Sequence, residues 1–111
     1  MKDDKLYLIH VTECIQRVEK YTAGGRDVFL HSDLIQDGVI RNLQIMAESS
    51  QRISEECKRR HPEIDWLKIS GFRNVLVHDY LGVDLERVWN IIGSELPALK
   101  RAVATMLDEM G

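Results

Sequence analysis

The chain has 111 residues, of which 44% are hydrophobic and 30% are charged, a balance typical of one globular domain and not of a disordered or multidomain protein. Its net charge of −3 excludes a broadly basic nucleic-acid-binding surface, so any contact with phosphate would need a local cationic cleft. No apolar run reaches the roughly 18 residues of a membrane span, and charged residues begin at Lys2, which argues against a secretion signal. We therefore expect a cytoplasmic protein with one domain, residues 1–111.

Two long amphipathic helices are predicted in the first half of the chain. The first is expected over about Asp3–Tyr21, with Gly24-Gly25 ending it. Ser32 is a suitable N-cap for the second helix, which is expected to reach Arg59-Arg60 because Pro62 prevents its continuation. The apolar positions that recur every three or four residues are Leu8, Val11, Ile15 and Val18 in the first helix and Ile35, Val39, Leu43, Met46 and Ile53 in the second.

Two further helices are predicted in the second half. The third is expected over about 65–82, and Gly71 inside it indicates either close helix packing or a kink. Asp84 caps the fourth helix, in which Pro97 predicts a kink or a restart near Leu96. The apolar face of the fourth helix consists of Leu85, Val88, Trp89, Ile92, Leu99, Val103 and Leu107. Four such helices joined by short loops predict an all-α fold, an up-and-down four-helix bundle.

Candidate catalytic residues lie in the third helix, in the octapeptide Arg73-Asn74-Val75-Leu76-Val77-His78-Asp79-Tyr80. Arg73 supplies a permanent cation whose donor fork fits phosphate, and His78 is suited to moving protons near neutral pH. Asn74 lies one turn before His78, where it can orient the imidazole or contact phosphate. Together these side chains are the minimal set of groups needed to cut RNA without a metal. The other histidines and the two cysteines show no metal-ligand spacing. We therefore predict no metal site and no cofactor.

Helix geometry separates the two principal candidates. Arg73 and His78 are five residues apart, so on a straight helix they point about 140° from each other. The long arginine stem can reach around, the helix can distort, or two copies can pair about a twofold axis and pool their residues in one cleft. The separation favours the third arrangement, and we predict a symmetric homodimer with this segment at its interface.

The octapeptide, together with its flanking segments, resembles the signature of HEPN domains, and in particular of the HepT toxins. The segments that share the resemblance are Ile64-Asp65-Trp66, Ile69-Ser70-Gly71, Leu81-Gly82-Val83-Asp84-Leu85, Val88-Trp89, Arg41-Asn42-Leu43-Gln44-Ile45 and Glu48. They cover nearly the whole chain. One departure is Met46-Ala47, which stands where an apolar residue and a glycine are expected, and it affects local helix packing but not the site.

The resemblance implies a HEPN-like helical fold and an endoribonuclease that needs no metal. The ribose 2′-hydroxyl would attack the adjacent phosphorus, His78 would move a proton, and Arg73 would stabilise the charge on the phosphoryl oxygens. The products would be a 2′,3′-cyclic phosphate and a 5′-hydroxyl. In HepT proteins the tyrosine that corresponds to Tyr80 receives AMP from a nucleotidyltransferase antitoxin that uses ATP. The implied partners are therefore RNA, a second copy of the chain and this antitoxin.

Several alternatives stay open at this point. Arg41 and Glu48 either line the cleft or form exposed ion pairs, and Asp79 is either a solvated residue or one that tunes His78. Tyr80 is either the modified residue or a phenol that stacks on a base or closes a hydrogen bond. The alternative to a toxin is a non-catalytic helical subunit that binds substrate or nucleotide for a nucleotidyltransferase. A third possibility is a helical interaction protein without a nucleotide role.

Overall fold

The computed structural model of the chain describes residues 2–77 and 84–111, and these ranges contain seven helices and no strand. The helices are α1 (Lys2–Tyr21), α2 (Arg26–Leu30), α3 (Asp33–Gln51), α4 (Glu55–Arg59), α5 (Trp66–Val77), α6 (Leu85–Ser94) and α7 (Leu96–Glu109). The all-α prediction is confirmed. In the described ranges, no helix is long and apolar enough to cross a lipid bilayer.

Helix α3, which covers most of the predicted second helix, lies at the centre of the bundle. It packs against α1 on one side and α5 on the other, while α7 packs on α1 and α6. The predicted apolar stripe of α1 is confirmed, because Leu8, Val11, Ile15 and Val18 are at most 1% exposed. Burying each such side chain contributes about 1.5–3 kcal/mol, so the stripe fixes the face that α1 turns towards the core.

The prediction of one continuous second helix is wrong, because the helix is interrupted between α3 and α4. Ser54 adopts an extended backbone, and its hydroxyl accepts a hydrogen bond from the Cys57 N–H as the N-cap of α4. The Ser54 hydroxyl and backbone N–H both donate to the carboxylate of Asp4 on α1, at 2.6 and 2.8 Å. Asp4 is only 3% exposed. The interruption between α3 and α4 is therefore stabilised by a buried carboxylate about 50 residues earlier in the chain.

Helix α2 was not predicted from the sequence. It follows Gly25, whose φ of 93° lies in the left-handed region that glycine tolerates. Its one buried side chain is Phe29, whose ring centroid lies 5.5 Å from that of Trp89 on α6. Five residues are too few to show a periodic pattern. Contacts with α6 and α3 order this segment, and the Gln36 side-chain amide on α3 donates to the Phe29 carbonyl oxygen at 2.9 Å.

The second half of the bundle agrees with the sequence in one respect and corrects it in another. The predicted restart of the last helix is confirmed, because α6 ends at Ser94 and α7 begins at Leu96, with Pro97 in its first turn. Of the two alternatives at Gly71, close packing is wrong, since a Cβ there would meet no atom within 4 Å. The helix α5 is one element through this residue, and a kink at Gly71 stays a prediction. The predicted end of this helix near Gly82 lies outside the described residues.

Candidate active site

Arg73 is held at the surface by the packing of α5. The inner face of this helix consists of Ile69, Phe72 and Leu76, all buried in the core. Since each residue turns by about 100°, Arg73 falls on the flank of α5 beside α3, and its side chain is 51% exposed. Its guanidinium is therefore accessible to a ligand from solvent.

Glu48 on α3 is the residue that the structure brings to Arg73. The Arg73 Nε and the Glu48 Oε1 are 3.7 Å apart, which is an ion-pair distance but too long for a hydrogen bond. The Glu48 side chain is 49% exposed, and solvated pairs of this kind contribute about 0–1 kcal/mol to stability. The pair therefore biases the position of the guanidinium more than it holds the two helices together, and an incoming phosphate can displace the carboxylate.

Arg41 lies on the same outward face of α3 but is not brought to Arg73 within one protomer. It is exposed and precedes Glu48 by seven residues, a rise of about 10 Å along the helix. Within residues 2–77 and 84–111 it forms no ion pair. Glu48 thus forms an ion pair with Arg73 and Arg41 does not, while cleft lining by either residue stays a prediction.

The remaining candidates begin where the described part of α5 ends. Asn74 is exposed beside Arg73. His78, Asp79 and Tyr80 follow Val77, the last residue of α5 that the structure describes, and they lie outside the described residues. Their predicted roles stay predictions.

His61 is a buried titratable group that the sequence did not single out. It is 6% exposed and lies in the loop before α5. Its Nδ1 lies 3.2 Å from a Glu63 carboxylate oxygen and its Nε2 lies 3.2 Å from one of Glu109 on α7. Burial by itself would lower the pKa of His61, but the two carboxylates outweigh burial and the pKa is raised. No sequence spacing could reveal this, because Glu109 is 48 residues away.

The cysteine and tryptophan side chains, which could act as nucleophiles or stack on bases, pack in or against the core. Cys14 and Cys57 are buried free thiols, and burial raises the pKa of both, which disfavours the reactive thiolate. Trp66 and Trp89 pack against the core, and the Trp66 indole N–H donates to the His61 carbonyl oxygen at 3.2 Å. In the part of the chain that the structure describes, no three His, Cys, Asp or Glu side chains are grouped as metal ligands would be.

Comparisons with known proteins connect this surface to one family. A family model described as "Ribonuclease HepT-like" matches residues 11–106. A Methanocaldococcus jannaschii protein called "Gamma-glutamylcyclotransferase and putative RNase" is 33% identical over 98% of the chain, which spans 50% of that relative's length.

Two shorter relatives match over most of their own length. One is the "Probable ribonuclease HepT" of Thermococcus cleftensis, 36% identical over 89% of the chain and 91% of the relative. The other is a "Putative RNase" of Caldanaerobacter subterraneus, 28% identical over 98% of both proteins. No solved structure gives a significant match. The chain belongs to the HepT-like ribonuclease family.

Proposed function

We propose that this protein is a metal-independent endoribonuclease toxin that uses Arg73, Asn74 and His78. The observation that carries the proposal is the half-exposed Arg73, whose described partner is an exposed carboxylate. Arg73 precedes the motif histidine, His78, by five residues in a chain that belongs to a ribonuclease family. A guanidinium that contributes little to folding and faces solvent is available for the phosphoryl oxygens of a substrate.

The reaction follows from these groups. The ribose 2′-oxygen forms a bond to the adjacent phosphorus while the bond from phosphorus to the 5′-oxygen breaks. One His78 accepts the 2′-hydroxyl proton, and the 5′-oxygen leaves with a proton from a second His78 supplied by a second copy of the chain. Arg73 stabilises the negative charge on the non-bridging oxygens, and Asn74 orients the imidazole or the phosphate. A homodimer thus supplies both proton-transfer groups.

Substrate chemistry gives a direct test of this mechanism. Purified protein should cut single-stranded RNA in excess chelator and leave 2′,3′-cyclic phosphate ends, whereas an all-deoxy copy of the same strand should stay intact. His78→Ala and Arg73→Ala should each lower the rate by about 100-fold or more. Cleavage of the all-deoxy strand, or loss of activity on chelation, would contradict the proposal.

We further propose that Tyr80 is the point of control by an antitoxin. A nucleotidyltransferase partner would transfer AMP from ATP to the phenol oxygen, releasing pyrophosphate. The added phosphate would lie two residues from His78 and carry negative charge into the cleft, where it would occupy Arg73 and repel RNA. Incubation with partner and ATP should increase the mass by whole AMP units in the wild type and not in Tyr80→Phe.

Growth experiments separate the toxin from a non-catalytic subunit of a nucleotidyltransferase. Expression in the cytoplasm, where we place the protein, should stop growth when the chain is alone, and His78→Ala or co-expression of the antitoxin should restore it. Harmless expression of the wild type combined with tight binding to the nucleotidyltransferase would instead support the non-catalytic subunit.

A further inference from the structure

A groove of about 480 Å³ lies between the end of α1 and the beginning of α3. Its described lining residues are Tyr21 from α1 and Leu34, Ile35, Asp37 and Gly38 from α3. This volume is in the usual range of sites for small ligands. Leu34 is 84% exposed at its edge, so the groove offers apolar surface to a ligand from solvent.

The missing side chain of Gly38 positions the aromatic wall of the groove. A Cβ at this position would come within 3.2 Å of the Cδ2 and Cε2 atoms of the Tyr21 ring, which is closer than ordinary van der Waals contact. Gly38 does not have a positive φ, so no unusual backbone conformation explains a glycine there. A glycine inside a helix costs about 1 kcal/mol relative to alanine, and what this one permits is the close approach of the ring to α3.

Asp37 is the charged side chain in the described lining of this groove. It is exposed, and no cation within residues 2–77 and 84–111 pairs with it. A carboxylate presents two acceptor oxygens and no donor. A ligand that suits the groove therefore places a flat apolar face on the Tyr21 ring and points N–H donors at Asp37.

We propose that the groove binds a guanine base of the RNA strand. Unpaired RNA bases are recognised by stacking on aromatic rings and by hydrogen bonds to their Watson–Crick edges. Guanine presents two adjacent donors on that edge, N1–H and the N2 amino group, which match the two oxygens of the Asp37 carboxylate. Adenine and cytosine place an acceptor beside their amino donor, and uracil places a single N–H between two carbonyl oxygens. The proposal deepens the proposed function, on which it rests for RNA as the substrate.

The groove lies at the end of the bundle towards which α5 runs. At the opposite end, Asp4 near the start of α1, Ser54 after α3 and Met110 after α7 line one hollow. The His61 imidazole, in the loop before α5, lies 3.2 Å from Glu109 of α7, so α5 begins at that opposite end too. Since α3 ends where α5 begins, the two packed helices are antiparallel, and the described part of α5 leads towards the groove.

Asp37 lies on the same face of α3 as Glu48, the residue that contacts Arg73. Asp37 precedes Glu48 by 11 residues, which corresponds to a net rotation of about 20° and a rise of about 16 Å. A stacked strand advances about 3.4 Å per nucleotide, so at most about five nucleotides separate a phosphate at Arg73 from a base in the groove. The base contact involves no phosphate, so it adds sequence preference without adding to the salt dependence of binding.

Binding of defined RNAs tests this guanine subsite without reference to cleavage. The probes are a short labelled oligouridine and the same strand carrying one guanosine or one inosine, measured by fluorescence anisotropy with the inactive His78→Ala variant. The single guanosine should lower the Kd by about tenfold or more, since both stacking and the edge contact are gained. Inosine keeps N1–H but lacks the N2 amino group, so it should recover only part of this gain.

Substitutions of Asp37 distinguish base recognition from a general effect of charge. Asp37→Asn should reduce the preference for guanosine over uridine by about fivefold or more. Affinity for oligouridine should stay the same or rise, because a negative charge is removed from the path of the RNA. Asp108→Asn removes the same charge from the exposed surface of α7 and should keep the wild-type preference. A carboxylate that only repels the backbone would change the affinity for both strands equally.

Substitutions of Tyr21 test the stacking contact. Tyr21→Leu should weaken binding of the guanosine strand by about fivefold or more, whereas Tyr21→Phe keeps the ring and should bind within about twofold of the wild type. Circular dichroism shows whether each variant is folded. Tyr21→Phe and Asp37→Asn keep the size of the original side chains, so the test does not depend on Tyr21→Leu remaining folded.

The outcomes separate this subsite from the proposed RNase function. The absence of any preference for the guanosine strand, or an equal preference in Asp37→Asn and Asp108→Asn, would overturn the subsite. A change of sedimentation mass in Leu34→Ser with an intact guanosine preference would assign the groove to a contact between chains and would also overturn it. If the preference is found but the wild type does not cleave the guanosine strand, the RNase function fails and the subsite stands. Cleavage of both strands without a guanosine preference leaves the RNase function standing and excludes the subsite.

Discussion

His61 links the loop before α5 to the last helix through both of its ring nitrogens. A neutral imidazole has one N–H, so it can donate to only one of the two carboxylates, Glu63 and Glu109. The protonated ring donates to both. Arg101 borders the same hollow and is the other charged group that faces it. The contact of His61 with both carboxylates therefore requires the protonated imidazole, which the folded protein stabilises.

This dependence predicts the effect of pH on stability. Since the pKa of His61 is higher in the folded protein than its ordinary value of 6.5, its contribution is complete below about pH 6.5 and is lost as pH rises through the folded pKa. The free energy of unfolding, measured with urea from about pH 6 to about pH 9, should fall with pH in the wild type. In His61→Gln this part of the slope should be absent.

An exposed histidine provides the control for that measurement. His31 lies at the surface, where its Nδ1 is 2.8 Å from the Asp27 carbonyl oxygen. His31→Gln should keep the wild-type slope. If both variants flatten the slope equally, or if His61→Gln leaves it unchanged, His61 does not link α7 to the loop in the way that its two contacts indicate.

At the scale of elements, two helix caps with the same local geometry differ in their tertiary contacts. Ser32 caps α3 and Ser54 caps α4, each accepting a backbone N–H at 3.2 Å. Only Ser54 also donates to the buried Asp4. Burial would raise the pKa of Asp4, but the hydrogen bonds from Ser54 outweigh burial and the pKa is lowered. Substituting the two serines therefore distinguishes the free energy that a cap contributes from the free energy that the contact between α1 and α4 contributes.

We expect Ser32→Ala to cost about 1 kcal/mol of unfolding free energy, the usual value of a cap. Ser54→Ala should cost about 2–3 kcal/mol, because it also removes a hydrogen bond to a charged group. Chemical denaturation of the two variants at neutral pH measures the difference. Equal losses would mean that the contact with Asp4 contributes nothing beyond the cap.

Glycine substitutions provide a second comparison within the helices. Gly71→Ala should raise the unfolding free energy by about 1 kcal/mol, because alanine is the better helix former and its Cβ would meet no atom within 4 Å. Gly38→Ala lies in α3, where a Cβ would come within 3.2 Å of the Tyr21 ring. There the crowding opposes the gain in helix propensity, so the thermal midpoint should rise less than in Gly71→Ala or should fall. A loss of stability in Gly71→Ala would show that α5 needs a glycine at this position.

The elements also show how far the sequence could predict the fold. Periodicity predicted α1 and the inner face of α3, and Pro97 predicted the restart near Leu96, because each depends on residues close together in the chain. It missed α2, which depends on Phe29 meeting Trp89, and the break at Ser54, which depends on Asp4. In the same way the motif identified Arg73, but its contact with Glu48 joins two helices and has no local signature.

At the scale of the whole molecule, the net charge of −3 limits how RNA can be bound. Several cations already pair with carboxylates, as Arg26 does with Glu86, Lys68 with Glu95 and Lys100 with Glu19. The remaining Lys and Arg side chains are offset by an excess of carboxylates, 18 Asp and Glu against 15 Lys and Arg. The proposed dimer offers chiefly its two Arg73 side chains, so affinity for RNA should be weak and should depend only modestly on salt.

This limit gives a quantitative prediction for binding. Each phosphate neutralised on a single strand contributes about −0.7 to the slope of log K against log salt concentration, so two Arg73 side chains predict a slope of about −1.4. The slope can be measured by fluorescence anisotropy with inactive His78→Ala and a short RNA between about 50 and 200 mM salt. Adding Arg73→Gln should bring the slope close to zero, while adding Arg101→Glu should leave it unchanged. A slope steeper than about −4 would require a broad basic surface, which contradicts recognition through two arginines in an otherwise acidic protein.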